Sequence, residues 1–247
     1  MVTTYPFSHL CTSGCPTDFA LAHTIEFREK YQPWSITPSA VEENSKGWVY
    51  VRGYSPTRYH PDNEVGGSAL MWYRPGLHKM SNDRYEAYAR ALVHGIDTCI
   101  ADAMKRSNGK IGKCNIVLDA AGFGLSYIPP IGSTKRILSM LQDHFPDKMG
   151  VLVVANMAKP AQIFMKMVFP FLPLEVRRKI HILPTDAESR SEMLKMLVEE
   201  KFIPSWLGGK DAYEFNANEY YKTGKYKSDF ISDEEGIEYV TTMPYHA

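Results

Sequence analysis

The segment VLVVAN (151–156) leads into PAQIFMKMVFPFLPL (160–174), in which only Gln162 and Lys166 are polar. A strand that is apolar at nearly every position is typical of the middle of a sheet that is covered on both faces. The helix that follows carries more apolar surface than one helix face can bury. Either this helix is wholly internal, or one side of it contacts something apolar that is not protein, such as an acyl chain or a membrane.

The sequence around this segment alternates predicted helices with predicted strands. Apolar residues recur at three- and four-residue steps in the helices, and β-branched and aromatic residues fill the strands. This alternation predicts an α/β fold with a mixed, mainly parallel sheet. We expect helices at 17–31, 82–106, 133–144, 160–169 and 186–200, a helical turn at 172–179, and strands at 48–54, 68–76, 114–120, 151–156 and 179–183, with an exposed loop at 55–67.

Composition is that of an intracellular protein with one main domain. The chain has 247 residues, of which 44% are hydrophobic and 23% are charged, so it can build a core without a metal or disulfides. Its 28 basic residues balance 28 acidic ones, which argues against a nucleic-acid partner. The N-terminal sequence predicts neither a signal peptide nor a myristoylation site, and no segment is apolar over the length of a membrane span.

Motifs for catalysis are weak. The glycines of AGFGLS (121–126) follow a predicted strand, but Tyr127 stands where a dinucleotide fingerprint needs glycine, so Gly122 and Gly124 are better explained as shaping the strand exit. Ser126 lacks a GxSxG context and an identifiable base. Asp119 is a candidate catalytic carboxylate, although a loop-organising cap is favoured.

A metal site has equally little support. His9, Cys11 and Cys15 could offer three metal ligands within seven residues, but no second pair follows, and the other histidines lack metal-binding spacing. We therefore expect no metal, no cofactor and no enzymatic activity.

An ordered set of segments resembles a known family. FREKYQPWSI (27–36), GWVYVRGY (47–54), MWYRPGLHK (71–79), NIVLDAAGFG (115–124), HFPDKMG (144–150), FPFLPLEVRRKIHIL (169–183) and IPSWLGGK (203–210) resemble, in order and spacing, the CRAL-TRIO family of lipid-binding and phosphatidylinositol/phosphatidylcholine transfer proteins. The similarity covers about residues 18 to 210. It implies three parts: a short N-terminal helical segment at 1–35, reduced from the family's helical bundle, a lipid-binding domain at 36–210, and a polar, tyrosine-rich tail at 211–247.

The resemblance also implies a site. The sheet would form the floor of a large apolar pocket, and the helix at 160–169 would be its mobile gate. The family holds an inositol headgroup with an acid and a lysine, whose positions match Asp147, one methylene shorter than the usual Glu, and Lys179. The gate and pocket residues would be Ile163, Phe164, Met167, Val168 and Phe171.

The function implied is binding of a single phospholipid, possibly phosphatidylinositol, and its exchange between membranes. A tocopherol, retinoid or sterol ligand is also compatible with the pocket. The alternative is a lipid-sensing interaction module that does not transfer lipid, which the short N-terminus and the tail also suit. We expect a cytoplasmic monomer that associates transiently with a membrane surface.

Overall fold

The computed structural model describes residues 17–32, 44–55, 68–107, 109, 111–222, 225–226 and 237–238. Most of the predicted loop at 55–67 lies outside them, as do His9, Cys11 and Cys15. The helices are α1 (Thr17–Tyr31), α2 (Tyr85–Arg106), α3 (Ile131–His144), α4 (Lys159–Val168), α5 (Leu174–Arg178), α6 (Ala187–Leu197) and α7 (Ala217–Lys222). The strands are β1 (Val49–Tyr54), β2 (Ala69–Tyr73), β3 (Cys114–Asp119), β4 (Met149–Ala155), β5 (Ile180–Ile182), β6 (Lys225–Tyr226) and β7 (Ile237–Glu238).

The main sheet has five strands in the order β1-β2-β3-β4-β5. β1 pairs with β2 in antiparallel fashion, and the remaining pairs are parallel. The predicted mixed, mainly parallel α/β sheet is therefore confirmed. Element ends shift by a few residues where turns intervene; β2, for example, stops at Tyr73 because Pro75 begins a short 3-10 helix.

The helices of the three parallel crossovers lie on one face of the sheet. From β2 to β5 the strand order follows the chain order, so successive right-handed crossovers place α2, α3 and α4 on the same side. Tyr88 of α2 and Phe164 of α4 accordingly line one cavity. Gly95 lets α2 approach closely, because a Cβ there would lie 2.9 Å from Met71 Sδ.

The opposite face of the sheet is sealed by α6 and the segment after it. Trp72 is fully buried and meets Trp206 edge-on, with ring centroids 5.7 Å apart. Tyr54 meets Phe202 in the same way at 5.6 Å. This face supplies much of the main core and fixes the sheet under the helices of the other side.

The first part of the predicted tail is folded onto β1. Arg52 donates two hydrogen bonds to Asp211, at 2.7 and 2.9 Å. The Tyr220 hydroxyl accepts from Val51 N at 2.9 Å, and Asn44 Nδ2 donates to the Tyr221 hydroxyl at 2.6 Å. Up to residue 222 the tail therefore wraps the surface, the first of the two behaviours open to it.

The predicted N-terminal helix is present as α1, with the bounds that its pattern indicated. Arg28 donates to both carboxylate oxygens of Asp97 in α2, at 3.1 and 2.7 Å. Phe27 stacks on His144 at the end of α3, with ring centroids 3.8 Å apart. These contacts tie α1 to the helical layer. Among the described residues, no helix combines the length and apolarity that a bilayer span requires.

Candidate functional site

One apolar face of strands β3 to β5 is only partly covered. The parallel register places Ile116, Leu152 and Ile180 in one row and Leu118, Val154 and Ile182 in the next, all on the side of α2, α3 and α4. We call these six residues the groove face. Val154 is buried, Ile182 is 52% exposed, and the other four are half-buried. On the opposite side of the same strands Val117 and Val153 are sealed at 0% and 1% exposure.

An apolar cavity lies at the carboxyl ends of these strands, beneath α4. Its floor includes Leu118 and Val154, and its roof includes Ala161, Phe164 and Met165 of α4. The remaining wall comes from α2 and from the connections after β2, β3 and β4: Tyr73, Pro75, His78, Met80, Tyr88, Ala120, Phe123, Tyr127, Pro129 and Met157.

The cavity is far smaller than the large pocket that the sequence led us to expect. It measures ≈ 40 Å³, little more than the volume of a water molecule, whereas small-molecule pockets measure about 300–1,000 Å³. The reason is the Phe164 side chain, which fills the space against Phe123 with ring centroids 5.7 Å apart. A lipid-sized chamber therefore requires α4 to move away from the sheet.

The packing of α4 is suited to such a movement. Only Ala161 and Val168 of its ten residues are buried. Ala161 belongs to a small cluster with Ala120 and Phe123 that is separate from the main core. Displacing α4 would thus disturb few buried contacts and leave the main core intact.

The chain after α4 is attached to α3 at Phe171. Gln142 Nε2 donates to the Phe171 carbonyl at 3.4 Å, and Lys135 Nζ lies 4.5 Å from the centre of the Phe171 ring. Arg177 donates to the Leu172 carbonyl at 2.9 Å and closes the following turn. We call residues 159–174 the gate segment. These exposed or half-buried contacts hold its end without burying it.

The five predicted gate residues divide between two surfaces. Phe164 lines the cavity, Val168 is buried nearby and Met167 is half-buried. Ile163 and Phe171 point outward, with 54% and 41% exposure. Met165, which is not among the predicted gate and pocket residues, also lines the cavity. The inward stripe is Ala161, Phe164, Met165 and Val168, a spacing of three and four residues that the sequence does contain.

The wall residues Tyr73 and Tyr88 were not predicted. Their hydroxyls hydrogen-bond to each other beside the cavity. Burial raises the pKa of both phenols, so they stay neutral at physiological pH. The sequence singles out neither tyrosine, because the pairing of a strand residue with a helix residue depends on tertiary packing.

The predicted headgroup residues lie together at the amino ends of the parallel strands. Lys179 Nζ contacts Asp147 Oδ1 at 3.1 Å and also donates to the Met149 carbonyl at 3.0 Å. Lys113, which sequence reasoning missed, contacts the same carboxylate, with its Nζ 3.1 Å from Oδ2. Burial acts to raise the pKa of Asp147, but the hydrogen bonds from Lys113 and Lys179 outweigh it and hold the pKa below its usual value.

The headgroup pair and the cavity lie at opposite ends of β4. The seven residues of β4 span about 20 Å at roughly 3.3 Å per residue. One leaflet of a bilayer has a hydrocarbon depth of about 15 Å, half of the roughly 30 Å core. The two ends of β4 are therefore separated by slightly more than the hydrocarbon depth of one leaflet.

The other chemical candidates have structural roles. Asp119 Oδ1 accepts from Ala121 N at 3.0 Å and from Asn156 Nδ2 at 2.8 Å, which confirms it as a loop-organising cap. Gly122 adopts φ +73°, as expected for a residue that shapes the strand exit. Within the described residues, no group of three or more His, Cys, Asp and Glu side chains is placed to hold a metal ion.

A second cavity, of ≈ 540 Å³, lies between α1 and α3. Its lining mixes charged groups of both signs with two histidines, including Glu26, Lys30, Arg136, His23 and His144. Such a lining does not suit an acyl chain, because a methylene chain would leave those charges desolvated without partners.

Comparison with known proteins assigns the family. The CRAL/TRIO domain matches residues 58–209. The "CRAL-TRIO domain-containing protein T23G5.2" of Caenorhabditis elegans is 24% identical over 111 residues, which are 44% of this chain and 15% of that protein. "Phosphatidylinositol transfer protein PDR17" of Saccharomyces cerevisiae is 26% identical over 132 residues, 48% of this chain and 36% of that protein. The chain thus aligns with well under half of either relative.

The fold also matches a solved structure. The crystal structure of Sfh5 superposes with a TM-score of 0.60 at 13% identity, covering 85% of this chain and 70% of that one. At this identity the similarity shows the fold alone.

The pKa of Asp147 provides a test of the charged cluster. We expect it to lie below about 3.9 and to rise toward that value in Lys113→Met and Lys179→Met variants. Because a lowered pKa stabilises the folded protein above the ordinary carboxyl pKa, this stabilisation should be lost as the pH falls through the lowered value. Carboxyl 13C NMR titration measures the pKa of Asp147. An unchanged pKa in both variants would contradict the contacts of Asp147 with the two lysines.

Proposed function

The chain belongs to the CRAL/TRIO domain family, and on that premise we propose that it binds one phospholipid, with its acyl chains on the groove face, and exchanges that lipid between membranes. Phosphatidylinositol is the proposed headgroup type, in keeping with the name of the yeast relative, a phosphatidylinositol transfer protein. The proposal describes a carrier without enzymatic activity, located in the cytoplasm.

The observation that carries the proposal is the incomplete cover of an apolar sheet face. In an ordinary α/β core, the face beneath the crossover helices is sealed as fully as the other face. Here Ile116, Leu118 and Leu152 are half-buried, although Val117 and Val153 behind them are sealed. Apolar surface left accessible beneath a thinly packed helix is the form that a site for a hydrocarbon ligand takes.

The energetics require closure around the cargo. Exposing a diacyl lipid to water at about 0.8 kcal/mol per methylene costs on the order of 20 kcal/mol or more. A groove that matches the bilayer interior makes exchange nearly isoenergetic, so no nucleotide is needed. The rate is then set by the displacement of α4, with the Phe171 attachment to α3 as the contact that must loosen first.

Headgroup recognition is assigned to the charged cluster at the amino ends of the strands. Asp147 is 72% exposed and accepts hydrogen bonds, which suits inositol hydroxyls, while Lys179 is a donor to hydroxyl or phosphate oxygen. The distance of about 20 Å to the cavity along β4 lets a headgroup here and an acyl chain beneath α4 belong to one molecule.

Membrane contact is assigned to the outer surface of the gate segment. Ile163, Phe171 and Leu174 are 54%, 41% and 59% exposed. Between residues 157 and 182 the neutral chain carries a local excess of positive charge, with Lys159, Lys166, Arg177, Arg178 and Lys179 against Glu175. Apolar side chains among cations match an interface with anionic lipid, where each cation contributes about 1 kcal/mol.

The groove is tested by filling it. A Leu152→Trp variant adds bulk on the groove face, and Met196→Trp adds the same bulk at an exposed site on α6. Native mass spectrometry of the purified proteins should find one lipid bound to the wild type and to Met196→Trp, and about tenfold less bound to Leu152→Trp, provided that thermal unfolding shows a loss of no more than about 3 kcal/mol. Equal loading of all three would refute the site.

Transfer is tested separately from binding. Fluorescent phosphatidylinositol should move between vesicles faster with the wild type than with Leu152→Trp. A wild type that carries lipid without accelerating transfer would instead support the lipid-sensing interaction module.

The headgroup assignment predicts a selective defect. Lys179→Ala should lower phosphatidylinositol transfer about tenfold, the effect of one lost charge-assisted hydrogen bond, and leave phosphatidylcholine transfer unchanged. Headgroup preference equal to that of the wild type in a vesicle exchange assay would remove Lys179 from the site.

The membrane assignment predicts weaker vesicle binding for Leu174→Ser, by about tenfold, because one apolar side chain no longer enters the interface. Met196→Ser, at a residue 46% exposed on α6, is the matched control. Cosedimentation with anionic vesicles measures both, and equal losses would show that the gate segment is not the docking surface.

A further inference from the structure

A second lysine occupies the charged cluster, outside the acid and lysine pair that the motifs identified. Lys113 precedes β3, and the parallel pairing of β3 with β4 brings it to the turn that holds Asp147. Its Nζ lies 3.1 Å from Oδ2 and 3.3 Å from Oδ1, so it spans the carboxylate, whereas Lys179 Nζ contacts Oδ1 at 3.1 Å.

The charges of these three groups do not cancel. Asp147 and Lys179 alone sum to zero, and Lys113 makes the cluster positive by one unit. Lys148 carries a further positive charge close by, because its Nζ lies 3.6 Å from the position that a Cβ on Gly112 would take, next to Lys113. Removing Lys113 therefore lowers the local positive surplus from two units to one.

The cluster is also open to a ligand. The side chains of Lys113 and Asp147 are 42% and 72% exposed, so a headgroup can reach both without unfolding any element. An ammonium has three donors, and a carboxylate accepts from hydroxyls as readily as from ammonium groups. A headgroup with hydroxyls and one phosphate can thus bond to Asp147 while its negative charge faces Lys113.

We infer that Lys113 sets the charge preference of the site, selecting an anionic, hydroxyl-bearing phosphate headgroup over a zwitterionic one. With Lys113 the quaternary ammonium of a choline headgroup meets the larger positive charge, and without Lys113 both this repulsion and the attraction for an anionic headgroup weaken. For the lipid as a whole the inference rests on the proposed function.

The test is a lipid competition with matched lysine variants. Wild type, Lys113→Gln, Lys113→Arg and Lys195→Gln are incubated with vesicles of equal phosphatidylinositol and phosphatidylcholine, and native mass spectrometry measures the ratio of the two bound lipids. Lys195, on α6, is the control. Its side chain is 49% exposed and forms a comparable ion pair with Glu200, at 3.1 Å.

We expect the wild type to favour phosphatidylinositol and Lys113→Gln to reduce the ratio about tenfold, with less phosphatidylinositol and more phosphatidylcholine bound. Lys113→Arg and Lys195→Gln should stay within about twofold of the wild type. An unchanged ratio in Lys113→Gln, or a wild type that favours phosphatidylcholine, overturns the inference and leaves lipid binding itself intact.

A second arm uses water-soluble glycerophosphoinositol, with the Asp147 carboxyl 13C resonance as the readout. If the wild type loads no lipid, yet glycerophosphoinositol shifts this resonance in the wild type and not in Lys113→Gln, the charge preference stands for a soluble phosphate and the proposed function fails. If neither lipid nor glycerophosphoinositol binds, both fail.

Discussion

The constraint that organises this molecule is that strand β4 is apolar on both faces, so that each face needs an apolar cover. The cover behind the sheet is tight at its centre, where Trp72, Val117 and Val153 are sealed and Trp206, from the segment after α6, packs on Trp72. The cover on the helical side is incomplete, because α4 buries only two residues and belongs to a separate small cluster. This difference in cover between the two faces is the origin of the proposed ligand site.

The same arrangement places the two parts of the proposed site at opposite ends of the strands. The amino ends of parallel strands gather Lys113, Asp147 and Lys179, which begin or precede neighbouring strands. The carboxyl ends gather the loops and the α4 helix that close over the cavity. A polar headgroup and an acyl chain are thereby assigned to opposite ends of one strand, and the closed form of α4 limits the space to what the Phe164 ring leaves free.

Much of the fold followed from local patterns. The apolar run at β4, the helical periodicity of α2 and α3, and the short α1 helix were all recognised at nearly their observed positions. Asp147 and Lys179 were both identified from family resemblance as headgroup residues. The structure places the two side chains in contact. The side chains facing the cavity were harder to predict, because a helix that is apolar on most sides does not reveal which stripe faces inward.

Features that depend on strand register or on tertiary packing of side chains could not be predicted from the sequence. Lys113 joins the cluster only because β3 lies beside β4, and nothing in its own neighbourhood marks it. The size of the cavity depends on whether the Phe164 ring packs onto Phe123, which is a tertiary contact between helix α4 and the loop that follows β3. Likewise, the tyrosines after residue 211 show little periodicity, and their place on β1 depends on single hydrogen bonds to its backbone and to Asn44.

The central claim, that the half-covered face of β3 to β5 holds hydrocarbon, is tested most directly by photo-crosslinking with a phosphatidylinositol that carries a diazirine in the middle of one acyl chain. The account predicts adducts on the groove face, at Leu118, Leu152 or Ile180, and on the inner stripe of α4. Adducts confined to the exposed outer side chains Ile163 and Leu174, or to α6, would contradict it.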